Sequence, residues 1–153
     1  MKDFGSIEDV LEFAIKNEQQ AADFYNKLAE NSKDSVMAKT FTQYAKEEKV
    51  HKERLEKIKA GGKYSLKSGK VQDLKIGDYL VSSKSSDADN LNYQDALILA
   101  MKREKAAYKL YMKLSDLAAD LELEIIFRDL AIEEAKHKLK FETEYDDVIM
   151  RDN

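Results

Sequence analysis

The chain has 153 residues, a length typical of one domain that buries roughly 68–70% of the surface its unfolded form exposes. Its 30 acidic and 26 basic residues are interspersed and give a net charge of −4, so no basic face indicates a nucleic-acid partner. The absence of cysteine excludes disulfides, a thiolate nucleophile and an iron–sulfur centre. The start lacks the apolar run of a signal peptide, and no stretch of roughly 18 apolar residues could span a membrane. We therefore expect a cytoplasmic protein.

The first predicted unit is a helical hairpin over residues 7–60. Ser6 followed by Asp9 is typical of a helix start, because the hydroxyl accepts a backbone N–H and the acid lies favourably at the helix N-terminus. The inward stripe of the first helix reads Ile7, Leu11, Ala14, Glu18, Ala21, Tyr25 and Leu28. After a polar turn at 31–34, the stripe of the second helix reads Met37, Phe41, Tyr44, Glu48, His51, Leu55 and Ile58. Each stripe carries polar residues where apolar ones are expected.

Residues 61–92 form a long connection that begins with two glycines. Loops between adjacent antiparallel helices usually take roughly 2–8 residues, so this stretch predicts a crossover along the bundle. Asn92 with Asp95 predicts the next helix start, and a second helical hairpin follows over residues 93–148. The stripe of its first helix reads Leu97, Ala100, Glu104, Ala107, Tyr108, Tyr111 and Leu114. The stripe of its second helix reads Leu123, Phe127, Leu130, Glu134, His137, Phe141 and Val148.

The two hairpins are copies of one sequence. The second copy follows the first by 86 residues, as the two Glu-x-x-His stretches show (134 − 48 = 86). Other pairs at the same offset include Leu11 with Leu97 and Tyr25 with Tyr111. One amphipathic hairpin cannot bury its apolar face alone. The repeat therefore predicts an all-α four-helix bundle, with residues 1–153 as a single domain.

The polar residues on the stripes predict a dinuclear metal site. The six candidate ligands are Glu18, Glu48, His51, Glu104, Glu134 and His137. Each histidine follows a glutamate by three residues, so both side chains of a pair share one helix face. A lone glutamate on such a stripe is usually an edge residue, and a lone core histidine is usually just hydrogen-bonded. Four uncompensated buried carboxylates would repel one another at a high cost in free energy, whereas two divalent cations would balance them.

One glutamate from each of two helices plus Glu-x-x-His from the other two is the pattern of ferritin-like di-iron carboxylate proteins. The sequence resembles the rubrerythrin family in ligand order and in the segments 18–25 and 100–107, and the resemblance covers nearly the whole chain. It implies two iron ions bridged by Glu48 and Glu134. It also assigns Glu18 and His51 to one iron, and Glu104 and His137 to the other. The donor set suits manganese too, and the spacing alone does not exclude zinc.

The chain departs from the family pattern in two ways. Many rubrerythrins append a cysteine-rich rubredoxin domain, whereas this chain has no cysteine and would need an external electron donor such as a rubredoxin-like protein. The family also carries an extra glutamate three residues after the ligand of the third helix, thought to exchange with a histidine. Here that position is Ala107, and its repeat mate is Ala21. We expect a nearly symmetric site, closer to the bacterioferritin type, in which these small residues leave room for the oxidant.

Two tyrosines are candidate catalytic residues. Tyr25 and Tyr111 each lie seven residues beyond a predicted glutamate ligand on the same stripe. Because helical side chains lean toward the helix N-terminus, the phenols could hydrogen-bond a carboxylate and orient ligands or donate protons. The alternative is plain aromatic packing, which is also our interpretation of Tyr44 and Tyr108. Two acidic neighbours of the ligands are expected to face solvent, namely Glu47 and Glu133.

The resemblance implies a di-iron oxidoreductase that reduces hydrogen peroxide or dioxygen with electrons from an external carrier. The symmetric ligand set favours a second hypothesis, a ferroxidase or iron-handling protein. A third is a non-redox helical bundle with structural zinc or a metal-free polar network. We expect a homodimer, in which the long crossover could let helices exchange between chains, and neither nucleic acid nor a membrane as a partner.

Overall fold

The computed structural model describes residues 4–62, 64–67, 74–81 and 91–150. Four long helices form two hairpins, as the sequence predicts. Their bounds are α1 Ile7–Asn31, α2 Ser35–Gly61, α3 Tyr93–Leu117 and α4 Leu121–Glu144. No helix in the described part of the chain is both long and apolar enough to cross a bilayer.

The helix ends follow the sequence signals. Ser6 Oγ accepts the N–H of Asp9 at 3.2 Å, and Asn92 Oδ1 accepts the N–H of Asp95 at 2.8 Å. Each side chain thereby satisfies one of the backbone donors that a helix start leaves unpaired. At the end of α2, Gly62 takes the left-handed conformation with φ 65°, which glycine adopts without a steric cost.

The fourth helix ends earlier than the sequence predicted. After Glu144 the chain winds as a π-helical turn over Tyr145–Met150, and the N–H of Tyr145 contacts the carbonyls of both Phe141 and Glu142. The wider winding shifts the residues that follow around the helix axis. Val148 is consequently 39% exposed, and its predicted place on the inward stripe is wrong.

The described parts of the connection between the hairpins contact the bundle at two places. Near its start, Ser65 O accepts the N–H of Ala119 at 3.0 Å, beside the turn between α3 and α4. Farther along, a 3₁₀ turn covers Ile76–Asp78, and the side chains of Leu74 and Tyr79 are buried in a core cluster to which all four helices contribute. The rest of the predicted crossover, including Val71, lies outside the described residues.

The apolar core consists of two clusters at different heights. One contains Leu11, Leu55, Leu114 and Phe127, and the other contains Phe24, Phe41, Leu97 and Phe141. In every helix the predicted ligands stand between the residues of these clusters in chain order. The fold therefore places a polar layer inside an apolar bundle.

Candidate metal centre

The polar layer collects all six predicted ligands. The exposed fractions are 2% for Glu18, 1% for Glu48, 1% for His51, 1% for Glu104, 1% for Glu134 and 2% for His137. Each of the four helices contributes at least one of them. Charged side chains are almost never this buried unless they are paired or coordinate an ion.

The six residues form two overlapping groups that could each hold an ion. One group is Glu18, Glu48, His51 and Glu134, and the other is Glu48, Glu104, Glu134 and His137. Within each group one potential ligand atom per residue lies within 4.8 Å of the others. Glu48 and Glu134 belong to both groups. Two shared carboxylates are what a dinuclear site with bridging glutamates requires.

Both imidazoles turn Nδ1 toward the carboxylates. His51 Nδ1 lies 2.8 Å from Glu134 Oε1, 3.2 Å from Glu48 Oε1 and 3.5 Å from Glu18 Oε2. His137 Nδ1 lies 3.4 Å from Glu104 Oε2 and 3.5 Å from Glu48 Oε1. None of these approaches has hydrogen-bond geometry, and one such atom on each of the six residues has no hydrogen-bond partner within the described part of the chain. Buried polar atoms without partners are rare in folded proteins, and a bound cation would satisfy them.

Mutual repulsion within the layer shows in the pKa values. Burial, and then the charges of neighbouring glutamates, raise the pKa of the Glu48 and Glu134 carboxyls well above the usual range. Burial lowers the pKa of His51, but the Glu134 and Glu18 carboxylates outweigh it and raise that pKa to about 11. Without an ion, protons partly neutralise the layer. Cations that replaced these protons would remove the repulsion.

The other ring nitrogens reveal two residues that the sequence analysis interpreted wrongly. His51 Nε2 lies 3.0 Å from Glu133 Oε2, and His137 Nε2 lies 3.1 Å from Glu47 Oε1. Both carboxylates were expected to face solvent, yet they are only 33% and 32% exposed and reach the histidine of the other hairpin. A carboxylate acceptor at Nε2 leaves the Nδ1 lone pair free for a metal. One feature of the sequence could have indicated this role: Glu47 and Glu133 occupy equivalent positions in the two repeats.

The tyrosine hydroxyls join the two hairpins in a similar way. Tyr25 donates to Glu104 Oε1, and Tyr111 donates to Glu18 Oε1 at 2.6 Å. The residue numbers of both pairs sum to 129 (25 + 104 and 111 + 18), so α1 and α3 run antiparallel. Burial, followed by the charge of the bonded glutamate, raises the pKa of each phenol well above its usual range. Each hydroxyl therefore keeps its proton and acts as a donor.

The two tyrosines that the sequence analysis interpreted as core residues differ from each other. The Tyr44 ring stacks on His137, with centroids 3.9 Å apart and planes at 20°. Burial and then the charge of Glu47 raise the pKa of Tyr44 to about 12. Tyr108 is 36% exposed on α3, so its interpretation as a core residue is wrong.

A cavity of about 450 Å³ between α1 and α3 reaches the polar layer. Its walls include the four layer glutamates Glu18, Glu48, Glu104 and Glu134. Ala21 and Ala107, the small residues of the symmetric pair, line it as well, and the connection contributes Tyr79 and Val81. Small molecules therefore have space beside the carboxylates on this side of the bundle.

Comparison with known proteins gives the family and the fold of the chain. The family model for rubrerythrin matches residues 9–145. The chain belongs to the rubrerythrin family. Among solved structures, this rubrerythrin-family chain is similar to a putative ferritin-like diiron-carboxylate protein from Thermotoga maritima, with TM-score 0.79 and 22% identity over 97% of this chain and 99% of that one.

A second similar structure is a hypothetical protein from Pyrococcus furiosus, with TM-score 0.71 and 27% identity over 93% of this chain and 89% of that one. No curated protein matches the chain at a significant level. Together these comparisons confirm the ferritin-like bundle and the family that the sequence resembled.

Proposed function

We propose that this rubrerythrin-family chain is a di-iron oxidoreductase that reduces hydrogen peroxide, or dioxygen, with electrons from an external carrier. The observation that carries the proposal is the pair of overlapping donor groups in one buried layer. Carboxylate oxygens and neutral imidazole nitrogens suit iron and manganese, and the family favours iron. Zinc in the same site would give a non-redox protein.

In this proposal Glu48 and Glu134, the two carboxylates common to both groups, would be shared by two ions. Glu18 and His51 would complete one position, and Glu104 and His137 would complete the other. Four carboxylates would balance the charge of two divalent cations, so binding would relieve the repulsion that raises the pKa values of the Glu48 and Glu134 carboxyls. The polar-layer atoms without hydrogen-bond partners support this assignment, because each of them belongs to one of the six proposed ligands.

Reduction of peroxide to two waters takes two electrons and two protons. Two ferrous ions, when bound, supply the two electrons that cleavage of the O–O bond consumes. The chain supplies the surroundings. Tyr25 and Tyr111 hold protons at Oη beside the layer and orient Glu104 and Glu18 by hydrogen bonds. They are therefore the candidate residues for delivering protons, while the apolar clusters on either side exclude bulk water.

The oxidant would enter through the cavity between α1 and α3. Alanines at positions 21 and 107 leave that wall open where a glutamate side chain would fill it. Electrons would come from a separate protein, such as a rubredoxin-like carrier, since the chain contains no cysteine to hold an iron–sulfur or rubredoxin centre.

A ferroxidase or iron-handling role is the second candidate. It is favoured by the near symmetry of the ligand layer, in which every donor has a repeat mate of the same residue type. It predicts repeated turnover of added ferrous ion and retention of the ferric product in a large assembly. A protein that remains a monomer or dimer on gel filtration and releases its ferric product would not be a storage protein.

The test is anaerobic reconstitution with ferrous ion, metal analysis, and stopped-flow mixing with peroxide or with air. We expect two irons per chain and faster oxidation by peroxide than by air. Much faster oxidation by air would overturn the peroxidase assignment and favour the ferroxidase. Zinc retained in place of iron, or no metal together with unchanged stability on chelation, would favour the non-redox bundle. The variant Glu134→Gln should lose the second ion, with the exposed Glu53→Gln as its matched control.

We also propose that the protein is a homodimer that associates through α4. This helix carries an exposed apolar row with exposures of 68% for Leu121, 48% for Ile125, 45% for Ile132 and 62% for Leu139. The repeat provides an internal comparison, because the equivalent residues of α2 are Ser35, Lys39, Lys46 and Glu53. In this sequence, the stretches outside the described residues contain only three apolar side chains, Met1, Val71 and Ala88, too few to cover the row.

The even spacing of seven residues between Ile125, Ile132 and Leu139 suits pairing with the same helix of a second copy. Helix exchange between chains is not needed, because one chain brings all six donors together. Sedimentation velocity should show a dimer that Ile132→Glu dissociates, while the matched control Lys46→Glu in α2 stays dimeric. A wild-type monomer at all accessible concentrations would refute this interface.

A further inference from the structure

The two halves of the candidate centre differ in the charges that surround their histidines. Beside His51, Glu133 Oε2 also accepts a hydrogen bond from Arg54 Nη1 at 3.1 Å, which pairs the carboxylate with a guanidinium. The repeat mate of Arg54 is Lys140 (54 + 86 = 140). Among the ion pairs of the described residues, none joins Lys140 to Glu47. One histidine therefore has a charge-paired acceptor, and the other does not.

The acid that accepts from His137 contacts an uncharged side chain instead of a guanidinium. Gln43 Nε2 donates to Glu47 Oε2 at 3.2 Å, so an uncharged amide contacts the acid that accepts from His137. The Tyr44 ring also stacks on this imidazole at 3.9 Å between centroids. The repeat mate of Tyr44 is Leu130, which has no aromatic face to offer the other histidine. The asymmetry thus involves both charge and ring packing.

We infer that the two metal positions bind divalent cations unequally, the one at His137 more tightly, and that Glu47 and Glu133 are the positioning residues that set the difference. This inference rests on the proposed metal centre. The inference goes beyond the proposed centre, because the six donors alone are symmetric and predict two metal positions of equal affinity.

The physical reason lies in how a histidine ligand is tuned. An unpaired carboxylate at Nε2 increases the electron density that Nδ1 offers to a metal. A guanidinium paired with that carboxylate reduces the gain in electron density at Nδ1 and places a positive charge near the cation. Arg54 is 45% exposed, so solvent screens its charge, and we expect it to weaken its position only roughly two- to fivefold. The Tyr44 stack adds to the difference, because a ring already held in place loses less freedom on binding.

The inference can be tested by calorimetric titration of the metal-free full-length chain with Mn²⁺. We expect two binding steps. Glu47→Gln should weaken the tighter step by roughly ten- to a hundredfold and Glu133→Gln should weaken the looser one, the usual effect of removing the partner of a histidine ligand. Circular dichroism of each metal-free variant checks that the bundle remains folded.

Two surface variants separate the Arg54–Glu133 ion pair from a general effect of net charge. Arg54→Gln should tighten the looser step roughly two- to fivefold and leave the tighter step unchanged. Its repeat mate provides the matched control, and Lys140→Gln should change neither step. Equal tightening by both variants would mean that net charge alone acts, and it would overturn the assignment to the Arg54–Glu133 pair.

A spectroscopic measurement tests positioning directly. In the Co²⁺-loaded protein, each ring N–H near the paramagnetic ion gives a shifted proton signal that exchanges with solvent. Glu133→Gln should speed the exchange of one signal and Glu47→Gln that of the other. Two equal Mn²⁺ steps in the wild type, or both variants weakening the same step, would overturn the inference while the metal centre stands. A chain that binds no Mn²⁺, Co²⁺ or Fe²⁺ would overturn the metal centre itself.

Discussion

Metal removal should give this bundle an unusual dependence of stability on pH. In the metal-free protein, the pKa values of the Glu48 and Glu134 carboxyls and of both imidazoles are raised in the folded state. A group with a raised folded pKa stabilises the fold below its unfolded pKa and loses that contribution as pH rises through the folded pKa. All four groups therefore act in the same direction. The metal-free protein should become less stable as pH increases.

The size of the effect can be worked out for one group. The pKa of His51 is 6.5 in its ordinary state and about 11 in the fold. Between those values the folded chain holds about one more proton than the unfolded chain. The free energy of unfolding therefore falls by about 1.4 kcal/mol for each unit by which the pH rises. From pH 7 to pH 9 this single group should cost about 3 kcal/mol, a large part of the roughly 5–15 kcal/mol of a typical domain. The Glu48 and Glu134 carboxyls add to this loss of stability over a pH range that begins near their ordinary pKa.

The assay is urea denaturation of the metal-free protein, followed by circular dichroism, across that pH range. The metal-loaded protein is the control, because its ions replace the protons and should flatten the curve. Stability of the metal-free protein that stays constant or increases between pH 7 and pH 9 would refute the description of a proton-neutralised layer.

Three further predictions concern single side chains. Glu48→Gln should stabilise the metal-free protein at pH 8 by about 1–3 kcal/mol and abolish two-iron binding, because it removes a buried carboxyl whose raised pKa destabilises the fold at that pH, whether the group ionises or takes up a proton. Unchanged stability beside the surface control Glu53→Gln would contradict this. Tyr111→Phe should lower stability by about 1–2 kcal/mol through the loss of its hydrogen bond to Glu18, and slow oxidation by peroxide at unchanged iron content; denaturation and stopped-flow absorbance measure the two effects. Ala107→Leu should narrow the cavity and slow peroxide oxidation without changing iron affinity, and an unchanged rate would exclude this entry route.

The features that could be predicted from the sequence are those that a helix expresses locally. The caps at Ser6 and Asn92 and the glycine at position 62 depend on neighbours within a few residues. The candidate ligands were visible because polar residues interrupted otherwise apolar stripes at matched positions in two repeats. The exposed Tyr108 occupied a position that the same rule assigned to the core, which shows how easily the edge of a stripe is misplaced.

The contacts between hairpins were decided by tertiary structure. Periodicity along a helix shows which residues share a face, but it contains no information about the height of one helix against another. That relative height makes Tyr25 reach Glu104 of the other hairpin, and it brings Glu47 to His137. It also allows Arg54 to pair with Glu133, whereas among the described residues the equivalent Lys140 does not pair with Glu47. The symmetric donor set was thus determined by the sequence repeat, whereas the unequal surroundings of its two histidines arise only when four helices pack, because they depend on distances between side chains far apart in the chain.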